Sequence, residues 1–368
     1  MVAYRLLQAQ QPPQLQDVPK PSPRAGQLLI KVGGCGLCHT DIAIMGKTKA
    51  QLDEWHATPP FTLGHEIAGW VAEIGQGVVG FKAGEAVAVV PVWGSCGHCP
   101  PCRRGEENFC YYISTLNGAG IGFDGGLAEY IVVDARFAVP IGNFDPVLAA
   151  PLTDAGLTTY TAMKPALSSL VPGTTAVVIG VGGLGLLAVQ FLRTLCSARV
   201  IAVDSDATHL RLAKEHGADN TLPSDTTTAE QIRSLTSGAG ANFILDCVGA
   251  EPTLKTGVAA LARLGRLTLV GAALKTVPFG LHEVPWGAQL ATSMNGGTVN
   301  LREVIELARL GRIEMIQDRY PLSRVADAYR DFVAGKVRGR AVCLPENGGG
   351  ITSSNVPWNE VLQITGVS

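Results

Sequence analysis

Residues 35–39 read Cys35-Gly-Leu-Cys38-His39. That spacing serves three chemistries: attachment of a c-type haem, a redox dithiol, or the first ligand of a metal site. Further on, His65 stands beside Glu66 in GHE, and Cys96, Cys99, Cys102 and Cys110 follow the pattern C-x2-C-x2-C-x7-C. Four thiolates from one short loop can close a tetrahedral shell around Zn²⁺ and leave no position for substrate, which makes such a site structural. An iron–sulfur cluster or a pair of disulfides are the alternatives. His98, between two of these cysteines, is expected to face solvent, because four sulfurs already complete the shell.

A third cluster is Gly180-Val-Gly182-Gly183-Leu184-Gly185, a G-x-G-x-x-G run that follows the apolar stretch AVVI and opens a helical pattern. The first glycine permits a tight turn, and the second lets backbone approach a pyrophosphate. The third lets the helix pack on the strand, while the helix N-terminus faces the phosphate charge. Asp204 lies 19 residues beyond Gly185, where a carboxylate binds both ribose hydroxyls. It would repel a 2′-phosphate, so NAD is expected rather than NADP. His209 and Arg211 are close enough to soften that preference.

Composition narrows the setting. Apolar residues make up 46% and charged residues 16% of the 368, a globular balance with room for two cores. The net charge of −2 gives neither a basic stripe nor an acidic tail, which argues against nucleic acid and anionic membranes as partners. The opening MVAYRLLQAQQPPQLQDVPK lacks the basic and apolar regions of a signal peptide, and the run from Ala176 to Leu192 carries four glycines and reads as strand-turn-helix. A cytoplasmic protein is expected. Nine cysteines in a reducing compartment then serve metals or catalysis rather than disulfides, and a covalent haem is disfavoured.

The elements that must position these groups change character along the chain. QLLIKV (27–32), EIAGWVAEI (66–74), EAVAVV (85–90) and LAEYIVV (127–133), punctuated by Gly and Pro, read as a β-rich domain. From about Leu157 strands and helices alternate: a strand at 176–180, a helix Gly183–Leu195, a strand at 199–204, a helix through His216, then strands at 242–249 and 266–271 around a helix at 252–263. Such βαβ repetition with right-handed crossovers makes a mostly parallel sheet. After about 293 come amphipathic helices at 300–311 and 323–336, the second with Ser323 as its expected N-cap, and a strand at 340–345. The Gly/Ser/Asn-rich tail is expected to be loose.

GLCHTD (36–41), GHE with Gly69 and Gly75, the four-cysteine loop, PLTDAGLTTY (151–160) and GVGGLG follow in one order. Together they resemble the zinc-dependent medium-chain alcohol dehydrogenases, over nearly the whole chain to about Pro345. The resemblance implies an α/β protein. A β-rich GroES-like catalytic domain takes residues 1–154 and 293–368, and a Rossmann doubly wound parallel-sheet coenzyme domain takes 155–292. Cys38, His65 and Asp154 then map onto the catalytic zinc ligands. Many members have Cys at the third place, and Asp is similar to a microbial secondary-alcohol-dehydrogenase branch. A carboxylate binds Zn²⁺ well, although Asp154 also fits a helix N-cap. Glu66, beside His65, competes as a group supporting the ligands from behind or as a transient ligand. Cys35 becomes a small buried hydrophobe.

By the same resemblance, zinc acts as a Lewis acid on an alcohol, secondary by expectation, and hydride passes to NAD. Thr40 takes the hydroxyl-relay position, with Ala43 where some relatives end the relay in histidine. Asp41 orients His65. His39 and Arg340 face cofactor phosphate, Arg340 having a surface charge as its plainer reading, and Thr158 packs on the nicotinamide. Trp55, Leu116, Met294 and Asn295 are candidate pocket residues. A homodimer or homotetramer with a small alcohol or ketone as substrate is implied. The alternatives are a specialised polyol or biosynthetic dehydrogenase of this fold, or a zinc- and nucleotide-binding protein without turnover.

Overall fold

Every residue of Thr175–Ile179 is buried, as a parallel strand covered by helices on both faces requires. The computed structural model that shows this describes residues 1–113, 118–273 and 275–346; Leu116 and the tail beyond Glu346 lie outside the described residues. Chain contacts define one unit of Met1–Asp154, Gly296–Arg309 and the segment from Met315 onward, and a second of Ala155–Asn295 and Leu310–Glu314.

In the second unit, six strands of the described residues run parallel in the order Asn220–Pro223, Arg199–Asp204, Thr175–Ile179, Ala241–Asp246, Leu261–Leu269, Gln289–Thr292. By position along the chain that is 3-2-1-4-5-6, the doubly wound order whose switch point lies between the first and fourth strands. The helix Gly183–Leu195 starts at this switch point and buries Gly185 through Leu192. Val177, Ile179, Ile201, Val203 and Ile244 form a core with Ile232 of the helix Thr228–Leu235.

The first unit is built on Gln27–Gly36. This strand pairs with Glu66–Ile74 on one side and with Tyr130–Asp134 and Arg340–Leu344 on the other, in a largely antiparallel seven-stranded sheet of the described residues. The register opposes Gly36 to Glu66 and Val342 to Gly36, so the strand that leads to Cys38 ends between the starts of the other two. A second device holds the turn Ala150–Thr153: the buried Thr153 hydroxyl donates to Ala150 O at 2.7 Å and accepts the Ile67 N–H at 3.0 Å. One side chain thus satisfies a backbone donor that would otherwise cost about 1–3 kcal/mol buried and unpaired.

Three expectations shift. The return to the first unit falls at Gly296 rather than 293, and Leu310–Glu314 goes with the second unit, because Gln190 exchanges hydrogen bonds with the backbone of Glu314 at 2.7 and 3.1 Å. Ser323 is not an N-cap. It sits inside a 3₁₀ turn, Leu322–Arg324, which runs straight into the helix Val325–Val333. The spine strand continues four residues past Val32, its Gly33–Gly36 stretch being fully buried.

The tight strand-turn-helix of the second unit yields a direct test. A Cβ on Gly185 would lie 2.0 Å from Gly180 O. Gly185→Ala is therefore expected to cost about 1–3 kcal/mol or more, read as a lower urea midpoint at unchanged slope.

Candidate active site and metal centres

Register brings the first cluster together. Gly36 faces Glu66 across the sheet, and a Cβ at Gly36 would fall 1.9 Å from Glu66 Oε2, so only glycine leaves room for that carboxylate. Asp154 arrives from the turn pinned by Thr153. The ligand atoms of Cys38, His65, Glu66 and Asp154 all lie within 4.8 Å of one another, and all four residues are buried. Asp154 Oδ2 is 3.7 Å from Cys38 Sγ and 3.5 Å from His65 Nε2. Tetrahedral zinc, with bonds of about 2.3 Å to sulfur and about 2.0–2.2 Å to nitrogen or oxygen, spaces its ligand atoms about 3.3–3.8 Å apart. Both Asp154 spacings fall within that range.

Asp41 braces the set. Its Oδ1 lies 3.0 Å from His65 Nδ1, which turns Nε2 toward Asp154, and its Oδ2 accepts the Cys38 N–H at 2.9 Å. Burial alone would lower the His65 pKa, but the carboxylates of Asp41 and Asp154 outweigh it and hold the imidazole well above its usual range. Burial pushes the Glu66 carboxyl well up, and the negative charge of Cys38 and Asp154 adds to this against the pull of Arg340.

Arg340 is not the surface charge that its position in the sequence allowed. It is buried, its Nη2 donates to Leu37 O at 3.0 Å, and the same nitrogen donates to Glu66 Oε1. Arg340 Nε and Glu66 Oε2 are buried without a hydrogen-bond partner among the described residues. Thr40 is half-buried with Oγ1 3.6 Å from Cys38 Sγ. His39 packs its ring 4.6 Å from that of Phe332; partial desolvation and then the Arg340 cation hold its pKa below the usual value, so it is neutral near pH 7. Cys35 is buried in the core with Cys343.

The four-cysteine loop closes on a single point. Cys96 and Cys102 sulfurs are 3.9 Å apart, and those of Cys99 and Cys110 are 3.8 Å apart. A tetrahedral zinc thiolate shell has an edge of about 3.8 Å, whereas a disulfide needs about 2.0 Å. Backbone N–H groups of Cys96 and Tyr112 donate to Cys110 Sγ at 3.3 and 3.4 Å. Against the effect of burial, these donors hold the Cys110 thiol down at about 6; burial pushes Cys102 up to about 12. His98 is exposed, its ring nitrogen 2.9 Å from Cys96 O.

In the second unit, each fingerprint glycine has its own geometry. Gly180 is left-handed at φ +84°, Gly182 has open space on its Cβ side apart from His209 Cε1 at 3.9 Å, and Gly185 touches Gly180 O. Gly183 opens the helix, and Leu184 O accepts from the Thr159 hydroxyl at 3.4 Å. Asp204 Oδ2 accepts the Val181 N–H at 2.7 Å and Oδ1 that of Asp206 at 2.9 Å, with His209 Nδ1 3.4 Å away. Desolvation opposes ionisation of Asp204, but these donors win and lower its pKa. Thr158 is buried in the helix Ala155–Met163.

Of the pocket candidates, Trp55 is half-buried with Lys47 Nζ 3.9 Å over its ring, and Met294 is half-exposed. Asn295 takes a left-handed φ of +53° where the chain leaves the second unit. Sequence reasoning named Glu66 and Arg340 without pairing them, and it missed Thr153 altogether. A threonine next to a ligand is too common to signal its role.

Comparison with known proteins agrees with this geometry. Residues 24–143 match the alcohol dehydrogenase GroES-like domain, and residues 183–309 match the zinc-binding dehydrogenase family. The chain is 36% identical over 357 residues to an NAD-dependent alcohol dehydrogenase of Sulfurisphaera tokodaii, covering 94% of this chain and 100% of that one. It is 35% identical to an NAD-dependent alcohol dehydrogenase of Sulfolobus acidocaldarius, covering 93% and 99%. The crystal structure of the alcohol dehydrogenase of Aeropyrum pernix superimposes with a TM-score of 0.84 at 32% identity, covering 94% and 100%.

The two clusters are separable by metal content. Cys38→Ala and Cys96→Ser are each expected to lower zinc from about two ions per chain to about one. Only Cys96→Ser should also lower the thermal midpoint by several degrees, as loss of a structural site does.

Proposed function

The chain belongs to the zinc-dependent medium-chain alcohol dehydrogenases, and from that membership we propose that Cys38, His65 and Asp154 bind its catalytic zinc while Cys96, Cys99, Cys102 and Cys110 bind a structural one. The enzyme is an oxidoreductase that moves hydride between an alcohol or ketone and NAD(H). The observation that carries the ligand assignment is the placing of Asp154 Oδ2 at zinc-ligand spacing from both Cys38 Sγ and His65 Nε2. Bound zinc supplies Lewis acidity that lowers the pKa of an alcohol, and NAD supplies the hydride acceptor.

The chain's own groups do the rest. Asp41 keeps the proton of His65 on Nδ1 and so keeps Nε2 available. Thr40, whose hydroxyl both donates and accepts, takes the substrate proton and passes it toward the coenzyme ribose; Ala43 offers no further base. Glu66 stays on Arg340 and keeps that guanidinium neutralised in the dry interior. The backbone of Gly180, Gly182, Gly183, Leu184 and Gly185 cradles the pyrophosphate, Asp204 holds the adenosine ribose and excludes a 2′-phosphate, and Thr158 packs on the nicotinamide. His39 and Arg340, with its spare Nε donor, serve the coenzyme phosphates. Secondary alcohols and their ketones are the proposed substrates, the small Ala43 and flexible Met294 supporting bulky groups.

The assembly proposed is a homodimer or a homotetramer. Gln289–Thr292 ends the six-stranded sheet and its outer edge is unpaired among the described residues, and Leu264, Phe279, Leu281 and Trp286 in the same unit are largely exposed. A cytoplasmic location is supported by a lobe that needs reduced thiols, and no helix among the described residues is long and apolar enough to cross a membrane. A charge of −2 supports neither nucleic acid nor anionic membrane as partner.

The deciding experiment is absorbance at a wavelength specific to NADH, with NAD and then NADP, across primary, secondary, cyclic and aryl alcohols. Chelator-sensitive NADH formation, fastest on secondary alcohols and weak with NADP, is the expected result; equal rates on primary alcohols would remove the substrate proposal. In sedimentation velocity the protein should run as a dimer or tetramer, and Trp286→Glu should shift it toward monomer. A wild-type monomer would remove the assembly proposal.

A further inference from the structure

Glu107 opens the 3₁₀ turn Glu107–Phe109, just before the last cysteine of the structural lobe. Its carboxylate does not serve the lobe. Oε2 accepts the Thr298 N–H at 3.0 Å, and Oε1 accepts the Thr298 hydroxyl at 2.7 Å, so one side chain grips the first residue of the helix Thr298–Arg309. The helix leaves its first N–H groups without intrahelical partners, and a carboxylate there satisfies one of them and meets the positive end of the dipole.

The backbones also come together at this point. A Cβ on Gly297 would lie 1.9 Å from Gly105 O and 2.1 Å from Glu107 Oε2, and one on Gly105 would lie 2.2 Å from Val299 Cγ2. Lobe and helix start are thus in direct contact, Gly297 against the Gly105 backbone and Gly105 against the Val299 side chain. The same helix, with Leu301, Val304 and Ile305 buried, packs on the turn Ala150–Thr153 and on the strand Ala138–Pro140. That turn delivers Asp154.

We propose that Glu107 is a positioning residue for the catalytic zinc. Through the helix Thr298–Arg309 it holds the Ala150–Thr153 turn where the Asp154 carboxylate meets Cys38 and His65. The four-cysteine lobe therefore does more than staple its own loop: it anchors one ligand of the other metal site. The inference rests on the reading of Asp154 as a zinc ligand.

The test is the rate at which the chromogenic chelator 4-(2-pyridylazo)resorcinol takes zinc from the purified full chain. Glu107→Ala should release the catalytic zinc roughly tenfold faster than wild type, the size of effect that loss of a ligand-supporting contact gives. Glu107→Gln, which keeps an acceptor oxygen, should fall between them. Lobe zinc is read alone in a Cys38→Ala background, where adding Glu107→Ala should change nothing.

An unchanged catalytic release rate would overturn the proposal, and so would faster loss of lobe zinc in the Cys38→Ala background. If Glu107→Ala does not fold, Thr298→Ala removes only the hydroxyl bond and is judged by the same outcomes. Asp154→Asn separates the two readings. Should it hold zinc as firmly as wild type, the ligand assignment fails; should it release zinc while Glu107→Ala does not, only the positioning role fails.

Discussion

Two acidic groups that need a cation between them set the terms for the first unit. Cys38 Sγ and Asp154 Oδ2 are 3.7 Å apart and buried. As anions they would repel by roughly 4 kcal/mol even at an effective dielectric of 20. A divalent ion would reverse the sign of that energy. In the proposed centre Cys⁻, neutral His and Asp⁻ together would balance Zn²⁺.

Much of the surrounding structure exists to hold those groups at that separation. The spine strand ends between the starts of two others, and one register sets Cys38, Glu66 and Arg340 at the same sheet end. Gly36 is a requirement of this arrangement rather than a flexible point, since any Cβ there would occupy the place of the Glu66 carboxylate. Thr153 adds a bond between the ligand-bearing turn and the strand that follows His65. Each contact is modest alone, about 0.5–1.5 kcal/mol. Their common effect is positional, which matters more at a metal site than the sum of their energies.

What could be read from the sequence was local. The fingerprint glycines, the four-cysteine loop and the strand Glu66–Ile74 all announce themselves within a window of about 15 residues, because their chemistry is satisfied by near neighbours. The pairing of Glu66 with Arg340 spans 274 residues, and that of Glu107 with Thr298 spans 191. No periodicity or spacing encodes such contacts; they exist only once the seven-stranded sheet and a returning helix are in place. Ser323 failed for a related reason. A hydroxyl before an amphipathic run suggests an N-cap, but a 3₁₀ turn can feed the helix directly and leave the hydroxyl unused.

On the proposed ligand set, the charge ledger of the centre would also let one hydroxyl handle the proton. Zinc would balance Cys38 and Asp154, Arg340 pairs with Glu66, and Asp41 is engaged by His65 and the Cys38 N–H. Asp41, with both oxygens engaged, cannot take up a proton without breaking a bond that holds a ligand in place. Thr40 can, since its hydroxyl donates and accepts at once and its backbone is already fixed in the helix His39–Gly46. A neutral relay beside a neutral metal shell passes a proton without leaving a buried charge behind, which is the one cost this interior is least able to carry.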